Sequence, residues 1–307
     1  MTNKASDPTF RAYSIAQAQA YAAGRSTAYT PLLYSTVLEF HTERDGCYDL
    51  LLDVGCGPGN ATRDLAASFV NVIGVDPSPA MIQVARAHGY LTKSGNKVLF
   101  EVTTADEITS IPGIQEGSVD MITAAMAAHW FDMPQFWTAA AKVLKLGGTV
   151  ALWTCGSVFC HPSTPNAGEI QRILFRLERE HLAPFELPPN RVSRDMYDEL
   201  MLPWQCPTPN ESFSKEAFKR HVWDRDGALS NGESFFSNTD KISLERLKQS
   251  LETGSRVTRW RQANPDLAGT EKDCVKQTIR ELKEVLGGSE SLVLGMGTVV
   301  MLFQKTS

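Results

Sequence analysis

The 307-residue sequence lacks paired cysteine motifs, long apolar runs and an apolar leader. Its six cysteines include no C-x-x-C pair, and no His/Cys cluster has zinc-ligand spacing, so we expect neither a disulfide framework nor a metal site. No apolar stretch reaches the roughly 18 residues of a transmembrane helix, and the N-terminus has no signal-peptide core. We therefore expect a cytoplasmic protein with no membrane partner.

Runs of basic residues are also missing. Lys and Arg number 30 against 35 Asp and Glu, which gives a formal net charge of −5. Proteins that bind nucleic acid through its phosphates usually carry a basic patch or stripe. The composition therefore argues against a nucleic-acid partner, and we expect a monomer or a homodimer that acts on a small molecule.

What the sequence does contain is an alternation of strand-like and helix-like segments between Tyr48 and Thr154. Short apolar runs predict buried strands. Ala61, Leu65 and Phe69 share one helix face, and Ser78 and Gly89 stand where helix caps belong. Such alternation with short connections predicts an α/β fold with a doubly wound, mostly parallel sheet. The predicted strands are 49–54, 71–75, 97–103, 119–124 and 149–154, and the predicted helices are 61–69 (capped by Asn60), 78–89 and 134–145.

After Cys155 the alternation stops, and prolines cluster between Pro162 and Pro209. Helices are predicted near 168–181, over 240–264 and over 271–286, and the strand-rich segment 291–304 closes the chain. We expect four regions. They are an N-terminal helical cover (1–45), a cofactor-binding core (46–155), late strands with helical insertions that cover the substrate (156–290), and the final core strand or strands (291–307).

The stretch Asp53-Val54-Gly55-Cys56-Gly57-Pro58-Gly59 follows a strand and opens a helix. Glycines in such a loop permit unusual backbone conformations and let the main chain touch a ligand. The G-x-G-x-G spacing and the acid at Asp53 differ from the usual dinucleotide-binding loop. Asp76 ends the next strand, where a carboxylate can accept hydrogen bonds from both ribose hydroxyls. Together these features favour S-adenosylmethionine over NAD.

Five ordered segments resemble the motif set of the class I S-adenosylmethionine-dependent methyltransferases: DVGCGPG, VDPSPAMI, ADE at 105–107, VDMITAAMAAHWFD and LKLGGTVALW. Within that superfamily the chain resembles the trans-aconitate methyltransferase-like group, including fungal members. That likeness rests on Tyr21-x-x-x-Arg25, the His129-Trp130 pair and the segment 260–265. The resemblance implies a Rossmann-like, seven-stranded sheet with an antiparallel final strand and a helical cover over the active site.

The resemblance also implies a cofactor site for S-adenosylmethionine, with S-adenosylhomocysteine as product and no metal. Tyr21 and Arg25 would reach the cofactor carboxylate from an N-terminal helix, although they could equally form the polar face of a surface helix. The expected cofactor-binding residues are Tyr21, Arg25, Asp53, Gly55, Cys56, Gly57, Asp76, Pro77, Met81, Ala105, Asp106 and Ala125.

The methyl acceptor is expected to lie beyond the fourth strand. In-line transfer needs alignment and exclusion of water, and it needs a base only when the acceptor is protonated. Since no convincing base is evident, we expect O-methylation of a carboxylic acid. His129 is the candidate catalytic residue, as a hydrogen-bond donor or as a base. The expected pocket residues are Met126, His129, Trp130, Trp153, Arg256 and Trp260.

Two positions refine this expectation. Fungal relatives commonly carry Glu where this chain has Met126, which favours a less polar acid than trans-aconitate. Arg256 could bind a carboxylate with two hydrogen bonds, or it could lie on a solvated basic helix face.

Two other functions stay open. One is methylation of a hydroxyl, thiol or ring carbon of a specialised metabolite, with His129 as base. The other is a non-catalytic protein of the same fold that binds a partner methyltransferase. An intact glycine loop and ribose acid argue against the second.

Overall fold

A seven-stranded sheet forms the centre of the computed structural model, which describes residues 8–25, 29–236 and 241–307. Its strands are β1 (Leu50–Val54), β2 (Asn71–Asp76), β3 (Leu99–Val102), β4 (Val119–Ala125), β5 (Leu144–Cys160), β6 (Lys219–Trp223) and β9 (Leu294–Gln304), and β7 (Ile242–Ser243) pairs with β8 (Ser291–Leu292) separately. The strand order of the sheet is β3-β2-β1-β4-β5-β9-β6. Strands β1 to β5 run parallel, whereas β9 runs antiparallel to both β5 and β6. This confirms the predicted fold class.

Both faces of this sheet are covered, because neighbouring residues of one strand enter different core clusters. Leu51 and Ala151 pack in one cluster, whereas Leu52 and Leu152 pack in the other. Parallel strands covered on both faces are apolar at nearly every position, which explains the continuous apolar runs. The described helices are α1 (Pro8–Arg11), α2 (Ile15–Gly24), α3 (Pro31–Thr42), α4 (Asn60–Ala66), α5 (Pro79–His88), α6 (Met133–Val143), α7 (Ala167–Arg176), α8 (Pro188–Arg194), α9 (Leu244–Glu252), α10 (Ser255–Ala263) and α11 (Cys274–Val285).

The start of α5 confirms one predicted cap, and the start of α4 corrects another. The Ser78 hydroxyl accepts a hydrogen bond from the Met81 backbone, and Gly89 ends α5 in the left-handed conformation. Asn60, by contrast, lies inside α4, and the preceding glycine makes no side-chain cap. The Asn60 amide instead donates to the Arg25 carbonyl oxygen at 2.8 Å, so this residue joins the core to the end of α2.

The segment around 144–160 also differs from the prediction. Helix α6 ends at Val143, and β5 runs for 17 residues from Leu144 to Cys160, although only 149–154 were predicted as strand. The cause is long-range pairing: Leu144 stands in register with Val119, and β9 follows β5 from Thr149 as far as Cys160. Helix and strand limits set by distant partners cannot be read from a local pattern.

The region 156–290 forms most of the cover over the carboxyl ends of the strands. Among the residues that the structure describes, it adds β6 and the last residues of β5 (156–160) to the main sheet. The single helix predicted over 240–264 is divided into α9 and α10 at Thr253 and Gly254. The predicted helix near 168–181 continues beyond α7 as a π-helical turn over Leu177–His181.

Helix α2 joins the N-terminal segment to this cover. It packs against α5 of the core and against α9. The Arg246 guanidinium donates to the Ala23 carbonyl oxygen at 2.7 Å. Residues 1–7 and 26–28 of the predicted N-terminal cover lie outside the described residues. Among the helices described, none has the length and hydrophobicity to cross a bilayer.

Gly24, at the end of α2, tests how tightly this helix is packed, and Gly168 of α7 serves as the control. A Cβ added at Gly24 would lie 2.4 Å from Cγ2 of Thr253 and 3.0 Å from the Gln249 carbonyl oxygen, whereas a Cβ at Gly168 would meet nothing within 4 Å. We expect Gly24→Ala to lower the free energy of unfolding by about 1–3 kcal/mol through overpacking. Gly168→Ala should raise it by about 0.5–1 kcal/mol through helix propensity.

Urea denaturation of the two variants and the wild type measures both effects. Equal changes for the two substitutions would contradict close packing of α2 against the cover.

Candidate functional site

A cavity of about 1120 Å³ lies at the carboxyl ends of the parallel strands, where strand order reverses between β1 and β4. Open α/β sheets bind their ligands at this position. Residues that follow β1, β2 and β4 form its floor, and residues of α2, α9 and α10 contribute to its walls. The cavity therefore reaches from the core to the helical cover.

The glycine loop forms one end of the cavity floor. Gly55 and Gly57 have φ values of +70° and +55°, which favour glycine. A Cβ at Gly55 would lie 2.5 Å from the Cβ of Ala127, so this position also has no room for a side chain. The backbone N–H groups of Gly55 and Cys56 donate to the Val75 carbonyl oxygen at 2.8 and 2.9 Å, which holds the loop against β2.

Asp76 stands beside this loop at the end of β2 and lines the cavity. Its carboxylate accepts hydrogen bonds from the Gly57 N–H at 3.0 Å and from the Ser78 N–H at 2.8 Å. Burial raises the pKa of Asp76 to about 6, although both hydrogen bonds act in the opposite direction. The carboxylate is thus fixed in position and still has lone pairs available to a ligand.

Asp53 has a different place from the one predicted for a cofactor contact. It is fully buried and is not among the described residues that line the cavity. Its oxygens accept hydrogen bonds from the hydroxyls of Thr62 at 2.5 Å and Thr123 at 2.8 Å, and burial raises its pKa to about 6. Asp53 therefore holds the glycine loop through buried hydrogen bonds and does not face the cavity.

The other residues predicted to bind the cofactor all line this cavity. Arg25 donates through Nε to the Thr253 hydroxyl at 3.1 Å, and its guanidinium carbon lies 5.5 Å from the Tyr21 ring centroid. The cavity-lining members of the predicted cofactor set are Tyr21, Arg25, Gly55, Cys56, Gly57, Asp76, Pro77, Met81, Ala105, Asp106 and Ala125.

His129 lines the cavity beyond β4, in a short 3-10 helix over Ala128–Trp130. Its Nδ1 lies 3.2 Å from the hydroxyl of Tyr197, a residue that sequence reasoning missed. Burial lowers the pKa of His129 to about 3, so the imidazole is neutral near pH 7. Met126 and Trp130 also line the cavity, and Met126 has a φ of +51° with its N–H bonded to the Trp153 carbonyl oxygen at 2.8 Å.

Two predicted pocket tryptophans lie in the core instead. Trp153 is fully buried, with the Tyr29 and Tyr34 rings edge-on at 5.6 and 6.4 Å. Trp260 is buried with Leu177 and Val275 inside the cover. Neither is among the described residues that line the cavity. Apolar spacing in the sequence is the same for core and cavity walls, so it could not separate the two.

Of the three arginines of α10, only Arg256 is among the described cavity-lining residues. Arg259 and Arg261 bind partners in the chain, among them the Phe185 carbonyl oxygen and the Asp273 carboxylate. Arg256 lies 3.4 Å from Glu178 and 3.4 Å from Glu186.

Arg194 is a second guanidinium on the same wall, and sequence reasoning missed it. It also lines the cavity, and its Nη1 binds the same Glu186 oxygen at 2.7 Å. Glu186 itself keeps only 6% of its side chain exposed. The cavity wall thus presents two guanidinium groups that share one buried carboxylate, an arrangement able to donate several hydrogen bonds to an anion.

Comparisons with known proteins agree with this geometry. Residues 52–152 match the methyltransferase domain family. A Dictyostelium discoideum protein assigned as a methyltransferase is 36% identical over 42% of this chain and 43% of its own length. A Saccharomyces cerevisiae protein assigned as an S-adenosylmethionine-dependent methyltransferase is 24% identical over 84% of each chain. Methyltransferase cfoB of Aspergillus candidus is 30% identical over 57% of this chain and 54% of its own.

The chain thus spans only about half the length of two of these relatives. A solved structure of an Anaeromyxobacter dehalogenans protein, assigned as a type II methyltransferase, shares the fold. Its TM-score is 0.57 at 22% identity, with 90% of this chain and 95% of that one covered.

The residues along the cavity floor suit the cofactor of such relatives. The Asp76 carboxylate offers hydrogen-bond acceptors that ribose hydroxyls could use. A Cβ added at Gly57 would meet nothing within 4 Å, so the space beside the Gly57 backbone is open. The Thr104 hydroxyl, next to Ala105 and Asp106, has no hydrogen-bond partner within the described part of the chain.

The raised pKa of Asp76 predicts a pH-dependent affinity for S-adenosylhomocysteine. With a pKa of about 6 in the free protein, Asp76 is ionised near pH 7.5 and mostly protonated near pH 5. We expect affinity to fall about tenfold over that range, because the protonated acid is a weaker acceptor for ribose hydroxyls. Isothermal titration calorimetry at both pH values measures it.

Asp76→Asn should weaken binding at pH 7.5 at least tenfold and remove most of the pH dependence. The control is Asp266→Asn, which changes an exposed acid outside the cavity. An affinity that stays constant from pH 7.5 to pH 5 in the wild type would count against an ionised Asp76 as the ribose acceptor.

Proposed function

We propose that this chain, whose residues 52–152 match the methyltransferase domain family, is a class I S-adenosylmethionine-dependent methyltransferase that methylates the carboxylate of a small, partly apolar organic acid. One observation carries the proposal. A single cavity joins the glycine loop and Asp76 to His129 and to the guanidinium groups of Arg194 and Arg256. Its volume of about 1120 Å³ exceeds the usual upper range of small-molecule pockets, roughly 1,000 Å³, and so has room for a cofactor and an acceptor together.

S-adenosylmethionine, when bound, supplies an electrophilic methyl group on its sulfonium. The backbone of Gly55, Cys56 and Gly57 would contact its methionine part, with Tyr21 and Arg25 near the carboxylate. Asp76 would accept from the ribose hydroxyls, and Asp106 from the exocyclic amine of the adenine. The apolar surfaces beside the adenine and the methionine chain would be Pro77, Met81, Ala105 and Ala125.

The acceptor side favours a substrate that needs no base. A histidine whose pKa is lowered to about 3 by burial is a poor proton acceptor at neutral pH, but its N–H can donate a hydrogen bond. A carboxylate is already ionised at that pH. It can accept hydrogen bonds from His129, Arg256 and Arg194 while one of its oxygens attacks the methyl group, so the chain's own residues have only to bind and orient it.

The cavity wall also has apolar members. Residues from β5, α10 and β9 line it, among them Val158, Val257 and Met296, and Met126 stands near His129. Burying an apolar body against such residues contributes roughly 25 cal/mol per Å² of surface removed from water. The acceptor proposed here is therefore an acid with an aliphatic or aromatic body, in place of a compact tricarboxylate.

A second candidate is methylation of a hydroxyl, with His129 as base. The observation that favours it is the hydrogen bond between Tyr197 and Nδ1 of His129, since bases in active sites are commonly oriented by such a partner. The two candidates differ in how far turnover depends on the His129 imidazole. A base is essential to turnover, whereas a hydrogen-bond donor contributes mainly to binding of the acceptor.

Screening acids by mass spectrometry tests the reaction. We expect purified protein with S-adenosylmethionine to add one methyl group to aliphatic or aromatic carboxylic acids, and mild alkali to remove it, because esters hydrolyse and ethers do not. Matched phenols, alcohols and thiols of the same body serve as controls. Methylation of those controls alone, giving alkali-stable products, would refute ester formation and favour the base mechanism.

Substitution of Arg256 tests the carboxylate-binding wall. We expect Arg256→Gln to raise the acceptor KM about tenfold or more, since a charge-assisted hydrogen bond contributes about 1.5–3 kcal/mol. The kcat and the affinity for S-adenosylhomocysteine should change less than about threefold. Arg172→Gln, which removes an exposed guanidinium of α7 outside the cavity, is the matched control. An unchanged acceptor KM would remove Arg256 from the binding site.

A further inference from the structure

The Tyr197 ring packs against the His129 ring, with 5.9 Å between the centroids, and Tyr197 lies in a stretch of left-handed backbone. Its side chain is fully buried, and both Met196 and Tyr197 have positive φ values, +55° and +62°. A non-glycine residue in this conformation is strained and persists only where the surroundings fix it. Two in succession indicate that the local structure is held in place to position this phenol.

The surrounding contacts supply that constraint. The Arg220 guanidinium donates to the Met196 carbonyl oxygen at 2.8 Å and to the Tyr197 carbonyl oxygen at 3.3 Å. Asp198 in turn accepts from Arg220 at 2.6 Å and from Arg225 at 2.9 Å. The strained turn is thus fixed from strand β6, outside the cavity.

The hydroxyl of Tyr197 has two acceptors in hydrogen-bond geometry, and the Thr154 hydroxyl, which also interacts with it, is already bonded to Ser193 at 2.6 Å. Nδ1 of His129 lies at 3.2 Å and the Trp153 carbonyl oxygen at 3.5 Å, and that carbonyl oxygen already accepts the Met126 N–H at 2.8 Å. The nearer and less occupied acceptor is Nδ1. A neutral imidazole carries one ring proton, so an Nδ1 that accepts leaves the proton on Nε2.

We propose that Tyr197 is a positioning residue that donates its hydroxyl proton to Nδ1 of His129 and thereby fixes the imidazole with its proton on Nε2, available to the cavity. The inference rests on the proposed function in one respect, namely that His129 faces the methyl acceptor. No described side chain binds Nε2, and His129 lines the cavity. The consequence is chemical: an Nε2–H group donates to an acceptor oxygen and cannot remove a proton from it.

The surroundings of the two rings, of which Tyr197 is fully buried and His129 half-buried, are consistent with this assignment. Burial raises the pKa of Tyr197 well above its ordinary value, so the phenol keeps its proton, and it lowers the pKa of His129, so the ring stays neutral. The Ser193 and Thr154 hydroxyls, 2.6 Å apart, lie on the same buried side.

Nitrogen-15 NMR of histidine-labelled protein tests the tautomer directly. The chain has six histidines, and the signals of His129 are those that His129→Gln removes. In the free wild-type protein we expect the His129 proton on Nε2. In Tyr197→Phe we expect the tautomer ratio to move about tenfold toward Nδ1–H, since a neutral hydrogen bond of typical strength is lost.

Tyr48→Phe is the matched control, because the Tyr48 hydroxyl binds Thr42 and the Leu38 carbonyl oxygen, away from His129. It should leave the tautomer ratio unchanged. A wild-type proton on Nδ1 would overturn the proposal, and so would an unaltered ratio in Tyr197→Phe. If Tyr197→Phe does not fold, the wild-type spectrum still tests the proposal: free neutral histidine already favours Nε2–H, so the His129 ratio must exceed that of free histidine by about tenfold, and a smaller excess would overturn the proposal.

Kinetics give a second readout on an acid found by the screen. We expect Tyr197→Phe to lower kcat/KM about tenfold with unchanged affinity for S-adenosylhomocysteine, and Tyr48→Phe to stay within twofold of the wild type. If no acid is methylated, the proposed function fails, and the tautomer measurement still decides this inference alone.

Discussion

Asp53 accepts one hydrogen bond from Thr62 and another from Thr123, and it does so with no exposure to solvent. These bonds join the end of β1 to the start of α4, which follows the glycine loop, and to the neighbouring strand β4. The N–H groups of Gly55 and Cys56 then bind the loop to β2 through the Val75 carbonyl oxygen. The geometry of the glycine-loop end of the cavity depends on this small set of buried polar contacts.

This arrangement has a cost in stability. Burial raises the pKa of Asp53 and of Asp76 to about 6, so the folded protein holds these protons more tightly than the unfolded chain. The favourable contribution of each protonated acid is present at low pH and is lost as the pH rises from about 4 to about 6. Near neutral pH both groups therefore oppose folding. A ligand that hydrogen-bonds to Asp76 offsets part of that cost and stabilises the folded state.

Sequence reasoning grouped Gly55, Gly57 and Asp76, and the structure brings these residues to one end of the cavity, because they fall at the ends of consecutive strands. It failed where geometry depends on distant partners. Arg194 gains its place through Glu186, and Tyr197 through a turn that Arg220 holds from β6. Trp153 and Trp260 were predicted in the pocket but lie in the core, because apolar periodicity indicates that a side chain is buried and does not tell whether it borders a cavity or other core residues. Asp53 was misplaced because an acid beside a glycine loop can support the loop or face its ligand.

The end of the cavity that we propose for the methyl acceptor offers hydrogen-bond donors and is poorly suited to remove a proton. Its histidine is neutral, and its two guanidiniums are balanced by Glu178 and Glu186. The balance is uneven: Arg194 binds Glu186 at 2.7 Å, whereas both carboxylate contacts of Arg256 are 3.4 Å long. Long contacts are weak, so Arg256 can turn toward an incoming carboxylate at little cost while Arg194 keeps Glu186 paired. An acid that pairs with Arg256 would leave Glu186 paired with Arg194, whereas Glu178 would exchange its long contact with Arg256 for the neighbourhood of the new ion pair.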